Sequence, residues 1–406
     1  MVKIKSITAQ IILDSRKNPT IEVIAETSDF SVKAGVPSGA STGKLEAKVI
    51  DVPKAIKNVN EIIAPQLIGK DPTNQKEIDN LMLEIDGTAD KSVLGGNAIV
   101  GVSMAISKLG AQTKNIPLYK HISQCLEVEP LNIENFKMPL ACFNIINGGA
   151  HANNDLDIQE FMIVPQMNSF SENFQSAKDI YQSLKGILSR KFDKLPIGDE
   201  GGFAPMIPST IEALDFLQEA VVKAGFNKKE VGFLLDCAAT HFQDGENYQL
   251  EGLPFSRSAL LEFYNNLIVK YPIIGFEDPF AEDDWQGFQG IYNKMGSKMT
   301  IIGDDLLVTN PLRIQEAIEK TACNGVIIKV NQIGTVSEAI EAIKLAKAHQ
   351  WKIMVSHRSG ETMDDFIADF AIGVGADFIK SGAPVMPERL AKYNRLLLIE
   401  EKENEK

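Results

Sequence analysis

In the C-terminal half of the chain, apolar runs recur, each ending on a single charged or imidazole residue. PIGDE ends on Glu200, VGFLLD on Asp236, IIGFE on Glu277, MTIIGD on Asp304, GVIIK on Lys329, KIMVSH on His357 and ADFIK on Lys380. From Asp236 onward the junctions are spaced by roughly two to four dozen residues, room for a strand, a helix and two loops. A short apolar run bounded by turns is the pattern of a strand buried on both faces in a parallel sheet. Strands alternating with helices form βα units, and a ring of such units closes into a barrel whose active site lies at the C-terminal strand ends. The spacing therefore predicts a barrel mouth that gathers carboxylates, two lysines and a histidine.

The segment before this rhythm has a different character. TIEVIA and SVKAGV have strand composition and are separated by a polar turn. A small-residue loop, PSGASTGK, follows. Next comes a helical pattern with Ala55, Ile56, Val59, Ile62 and Ile63 on one face, and another with Ile78, Leu81, Met82 and Ile85. A third, NAIVGVSMAISKLGA, is apolar nearly all round and is expected to be buried. Strands followed by helices indicate an α+β domain over 1–130, and EVEPLNIENFKMP, with Pro130 and Pro139, is the expected linker into a barrel domain over 131–406.

A chain of 406 residues is long for one domain, and its 44% hydrophobic and 23% charged residues are those of a soluble globular protein. No apolar stretch is long enough for a membrane span, and the N-terminus has no secretory pattern. Four scattered cysteines without a CxxC pair suit a reducing compartment, so a cytoplasmic location is expected. The net charge of −13 argues against nucleic acid, whose phosphates need a basic patch.

PSGASTGK is not a nucleotide-binding P-loop. Only three residues separate Gly39 from Gly43, and Leu45 follows Lys44 where a hydroxyl residue is required. It reads instead as an ordinary surface loop or as a lid. Asp236, Glu277 and Asp304 at successive strand ends would repel one another without a cation between them, and an oxygen-only donor set suits a hard ion such as magnesium. Lys329, buried near a metal, is expected to lose its proton more readily than a free lysine. Its bland alternative is a salt bridge to one of the carboxylates. Arg358 with Ser359 suits recognition of phosphate or carboxylate. Glu200, in the glycine-rich GDEGGFAP, and His151 and Glu160, in INGGAHANNDLDIQEF, are either loop residues or a pair of acids brought together, one of which would become a general acid. Together these residues point to metal-assisted proton abstraction beside a carboxylate.

The segments PSGASTG, FNIINGGAHANN, QEFMIVP, GDEGGFAP, EDPFAEDDW, GDDLLVTNP, KVNQIG and SHRSGET, spread over nearly the whole chain, closely resemble the enolase family. The resemblance implies an α/β fold: an N-terminal α+β domain followed by an enolase-type (β/α)8 TIM-like barrel whose first units depart from the simple βα order. It implies reversible magnesium-dependent dehydration of 2-phosphoglycerate to phosphoenolpyruvate. Asp236, Glu277 and Asp304 match the ligands of a first Mg2+, and Ser41 matches the residue that meets a second Mg2+ arriving with substrate. Lys329 matches the base at C2. Glu200, with Glu160 beside it, matches the acid that assists loss of the C3 hydroxyl. His151, Gln159, Glu160, Ser356, Arg358, Ser359 and Lys380 match substrate contacts, and His357 matches the site histidine.

Three departures from the family pattern stand out. Lys17 replaces the glycine of DSRGNPT, a cost of about 1 kcal/mol if that position has positive φ. After the loop, EAKVIDVPKAIKNVN lacks a segment of roughly ten residues, a change that is mild for stability. The family's homodimer uses two arginine–glutamate pairs, but here Gln10 faces Glu401 and Leu398 faces Glu22, so both arginines are gone. These departures leave open the alternative of a weak or inactive paralogue acting as a binding or structural protein.

Overall fold

The computed structural model describes residues 2–39, 43, 45–126 and 137–405. The expected domain boundary at 130/131 and Ser41 lie outside the described residues.

The chain opens with an antiparallel meander of β1 (Ser6–Leu13), β2 (Pro19–Glu26) and β3 (Ser31–Gly35). One face packs on the helix Gly96–Thr113, which is buried over almost its whole length, as its all-round apolar composition requires. Gly101 allows that close approach, because a Cβ there would stand 2.7 Å from Val23. The pattern read as one amphipathic helix is interrupted. Val52–Lys57 is α-helical, Asn58–Ile63 is a wider π-turn, and Ala64–Leu67 is α-helical again. The extra residue in the wide turn keeps Ala55, Val59 and Ile63 buried but rotates Ile62 out, leaving it 40% exposed.

The second body is a closed eight-stranded barrel. Its strands are β4 (Leu140–Asn147), β5 (Glu160–Pro165), β6 (Val231–Asp236) and, after a small antiparallel sheet of β7 (Gln243–Asp244), β8 (Asn247–Leu250) and β9 (Leu253–Phe255), the run β10 (Ile273–Glu277), β11 (Thr300–Gly303), β12 (Gly325–Ile328), β13 (Lys352–Ser356) and β14 (Phe378–Lys380). All neighbours are parallel except at β5, which runs antiparallel to both β4 and β6. Between β5 and β6 the chain inserts two helices, Phe170–Leu188 and Thr210–Lys223, before the regular βα alternation begins.

Strand parity explains how an apolar plug and a charged mouth share one barrel. Cys142, Met162, Val164, Leu234, Ile302, Ile327, Met354 and Phe378 form a compact interior cluster. Two residues beyond Leu234, Ile302, Ile327, Met354 and Phe378 come Asp236, Asp304, Lys329, Ser356 and Lys380, on the same inward face because side chains alternate with period two. On β5 the direction is reversed, so Glu160, two residues before Met162, is the one that reaches the mouth.

Candidate active site

Asp236 and Glu277 end adjacent strands and are paired in register, and Asp304 follows β11 directly. The chain is held under local backbone strain just past each of them. Ala238, Asp278, Val308 and Thr309 have φ of 43°, 40°, 43° and 55°, a region that non-glycine residues, and a β-branched valine above all, adopt only when their surroundings impose it. The strained residues have work to do. Ala238 N–H donates to Asp236 Oδ1 at 3.0 Å. Asp278 accepts the N–H groups of Asp304 and Asp305 at 3.0 and 2.7 Å. Thr309 Oγ1 accepts from Lys329 N–H at 3.0 Å and donates to Gln332 Oε1 at 2.8 Å.

Lys380 Nζ stands among three buried carboxylates, at 2.8 Å from Glu277, 3.2 Å from Asp236 and 3.2 Å from Glu160. Burial alone would lower its pKa, but Glu160, Glu277 and Asp236 hold it well above the usual lysine value. Glu277 is fully buried, and burial together with the charge of Asp236 pushes its carboxyl well up. Lys329 donates to Asp304, and Gln332 donates to the other oxygen of that carboxylate at 3.1 Å. Burial acts downward on Lys329, but the adjacent Asp304 outweighs it and holds the ammonium above its ordinary value. The salt-bridge alternative is thus present in this geometry.

Glu200 corrects the strand-end reading. PIGDE supplies no barrel strand. Ile197 makes only an isolated bridge to Phe203, and the chain turns tightly through Gly198–Gly202. Pro196 has no N–H to give a ladder, and the glycines favour the turn. Glu200 still reaches the mouth, accepting from Asn144 Nδ2 at 3.0 Å. His151 Nδ1 lies 3.5 Å from Glu160 and 3.7 Å from Glu200. Burial first, and then the charge of Glu200, raises Glu160 well above the ordinary carboxyl value. His357 is likewise one residue past the end of β13, with Ser356 as the last strand residue, and its Nε2 is 3.3 Å from Glu200 Oε1. Arg358 is buried and donates to Glu46 at 3.0 Å and Asn331 at 3.2 Å. Gln159 donates to Asp236 at 3.3 Å. Ser359 lines the same cavity as Lys329, Lys380 and Arg358.

Several residues went unread in the sequence. Asn144, Glu46, Gln332 and Arg389 each hold a predicted site residue by a side-chain hydrogen bond or ion pair. Asn144 and Gln332 sit inside FNIINGG and KVNQIG, the only signal available for them. His241, on the turn after Asp236, lines the cavity without any such signal.

The donor chemistry fits a hard divalent cation. Asp236, Glu277 and Asp304 offer only carboxylate oxygens, all three are buried, and they stand on consecutive strands. The tightest donor groupings among the described residues are His151 with Glu160 and Glu200, and Asp278 with Asp304 and Asp305, each with donor atoms within 4.8 Å. Asp278 is already committed to backbone N–H groups, so it supports Asp304 from outside any ion's immediate ligands.

Comparison with known proteins agrees with this architecture. The pattern for the enolase N-terminal domain matches residues 4–122, and that for the enolase C-terminal TIM barrel domain matches residues 135–406. Enolase of Thermococcus kodakarensis is 46% identical over 415 residues, covering 98% of this chain and 95% of the relative. Enolase 2 of Hevea brasiliensis is 44% identical over 429 residues, with the same coverage of 98% and 95%. Enolase of Methanopyrus kandleri is 45% identical over 418 residues, covering 99% of this chain and 96% of the relative. This chain belongs to the enolase family, metal-using hydro-lyases that interconvert 2-phosphoglycerate and phosphoenolpyruvate.

Proposed function

We propose that this chain dehydrates 2-phosphoglycerate with the residues gathered at the barrel mouth, and that two magnesium ions serve it. The observation that carries the assignment is the meeting of Lys329, Lys380, Glu160, Glu200 and Arg358 around one cavity with Asp236 and Asp304, with Glu277 paired to Lys380 at 2.8 Å. Asp236, Glu277 and Asp304 would hold the first ion, and Ser41 would meet the second. Bound there, magnesium supplies positive charge for the substrate carboxylate and for the enolate that develops from it.

The remaining steps are those of the chain's own groups. Arg358 and Ser359 hold the phosphate, where a forked guanidinium matches two oxygens. Lys329 takes the proton from C2. Burial and the charges of Arg358 and Lys380 act downward on it, and an ion held by Asp304 would lessen the opposing pull of that carboxylate. Lys380, with its ammonium held firmly protonated, faces the oxygens on which negative charge accumulates. Hydroxide leaves C3 poorly, so it takes a proton and departs as water. Glu200 delivers that proton, although in this geometry burial acts upward on it and His357, His151 and Arg389 outweigh burial and hold its carboxyl well below the ordinary value. Glu160, raised by burial, retains a proton beside it, and His151 lies between the two. Gln159, Ser356 and His357 border the substrate.

The experiment is direct. Purified protein with 2-phosphoglycerate and magnesium should form phosphoenolpyruvate, and folded, metal-loaded protein without turnover would refute the assignment. Lys329→Ala should abolish exchange of the C2 proton with solvent, and retention of full exchange would remove Lys329 from its role.

We assign the protein to the cytoplasm. No described helix is long and apolar enough to cross a membrane, and its four cysteines are free thiols. We also propose a homo-oligomer whose contact is weaker than, or rebuilt from, the family's dimer, since Gln10 and Leu398 cannot supply the two arginine pairs. No observation favours the inactive-paralogue reading.

A further inference from the structure

Arg389 is the largest side chain fully enclosed in the fold. It comes from the C-terminal helix Pro387–Asn404 and enters the site from behind. Its guanidinium is held almost entirely by neutral acceptors. Nη1 donates to Arg358 O at 2.8 Å, and Nη2 donates to Ser359 O at 2.6 Å and Asp199 O at 3.0 Å. Among the described residues the only carboxylate paired with it is Glu388, 3.9 Å from Nε. Nη1 also lies 2.6 Å from Nδ1 of His357.

That last contact leaves one chemical possibility. A guanidinium in a protein has donors only and does not give up its proton. The ring nitrogen it meets must therefore be the acceptor, a bare lone pair. A neutral imidazole with a bare Nδ1 carries its hydrogen on Nε2. Nε2 stands 3.3 Å from Glu200 Oε1 and has no well-aligned hydrogen bond of its own among the described residues.

We propose that Arg389 is a positioning residue that locks His357 as the neutral, Nε2-protonated tautomer, so that the imidazole offers Glu200 a donor and never an alternative home for its proton. The proposal rests on the reading of Glu200 as the acid, because a ring that takes no second proton cannot drain one from Glu200 on its way to substrate. Three charged groups face the ring: Glu200 and Glu361 favour a second proton, and Arg389 opposes it. Burial acts with Arg389, and His357 is pushed down to about 4. A second proton on the ring would set an imidazolium against a guanidinium at hydrogen-bond distance, with both removed from water.

Nuclear magnetic resonance of the full chain carrying ¹⁵N-labelled histidine tests this, with His357 assigned from the signals missing in His357→Gln. The wild type should show the proton on Nε2 and an unprotonated Nδ1 from about pH 8 to about pH 5.5. Arg389→Lys, which keeps a cationic donor, should preserve that pattern. Arg389→Met should mix the tautomers or admit the second proton, and its kcat should fall about tenfold or more with KM nearly unchanged. A wild-type ring protonated on Nδ1 or on both nitrogens would overturn the proposal, as would an unchanged tautomer in folded Arg389→Met. If the methionine variant does not fold, the wild-type spectrum decides alone. Because the tautomer is read without turnover, an inactive wild type would count against the proposed reaction and leave the tautomer result standing.

Discussion

Gln332 donates a hydrogen bond to Asp304 Oδ1 at 3.1 Å, on the carboxylate whose other oxygen faces Lys329. The orientation of the amide is fixed from the far side, because Thr309 Oγ1 donates to Gln332 Oε1 at 2.8 Å and leaves only the NH2 group for Asp304. Groups that orient a metal-binding carboxylate from outside typically account for tenfold to a hundredfold in metal affinity. Gln332→Ala should therefore weaken magnesium binding by about tenfold, read by calorimetry in the absence of substrate. The fold should be preserved, since the amide forms no part of the apolar core. An unchanged affinity would show that Asp304 does not need the amide to hold its position.

Lys17 sits in the loop joining β1 to β2 with φ of 65°, the left-handed conformation anticipated if lysine had taken the place of glycine. The loop is otherwise well made. Asp14 Oδ1 accepts from the N–H groups of Arg16 and Asn18, and Lys17 N–H donates to Asp14 O at 2.9 Å. The strain therefore lies in the Cβ of Lys17 itself. Lys17→Gly should raise unfolding stability by about 1 kcal/mol, less what glycine adds to the entropy of the unfolded chain. Urea unfolding measures this, and a less stable variant would mean that the lysine side chain contributes more than its backbone costs.

The barrel was legible because one signal repeats: an apolar run, then a charged residue at a period that fits a βα unit. Asp236, Glu277, Asp304, Lys329 and Lys380 all stand at or just past strand ends, and parity sets all but Glu277 directly above the apolar plug. Glu200 lay outside that signal because its apolar neighbours belong to a turn stabilised by glycines, which composition alone does not separate from a short strand. Glu160 was not visible from strand ends either, since it opens an antiparallel strand and reaches the mouth from the opposite chain direction. The supports Asn144, Glu46, Gln332 and Arg389 carry no periodicity. Each is defined by a partner far away in sequence, and only the folded chain brings the two together. Lys329 shows a different limit. Residue type, burial and a metal ion nearby suggested a lowered pKa; among the chain's own groups the sign is set by Asp304, whose distance the sequence does not contain.

Glu22 is answered within its own chain. It faces Gln10 across the β1–β2 ladder, accepts from that amide at 2.7 Å, and pairs with Lys33 at 3.2 Å. Leu398, half exposed on the C-terminal helix, offers no charge to a Glu22 from a second copy. Exposed ion pairs contribute little, but a cation returned opposite a partly buried carboxylate contributes more. The double variant Gln10→Arg with Leu398→Arg should therefore self-associate more tightly than the wild type in sedimentation at micromolar protein. A wild type that is already a tight dimer, unaffected by the two arginines, would remove the proposed weakening.

His121 supplies the pH prediction. It is fully buried on the helix Leu118–Cys125, its Nδ1 has no partner among the described residues, and its Nε2 lies 4.0 Å from Cys125 Sγ. Burial, assisted by Lys114, pushes its pKa down to about 4 from the ordinary 6.5. The folded state refuses a proton that the unfolded chain accepts below pH 6.5, so the associated stability is complete above that value and drains away as pH falls toward 4. Between pH 7 and pH 5 the wild type should lose about 2 kcal/mol more than His121→Leu, which has no ring to titrate. Urea unfolding of the two proteins at both pH values gives the comparison, since the carboxylates they share cancel in the difference. Parallel pH dependences would show that the folded protein accommodates the His121 imidazolium as readily as water does.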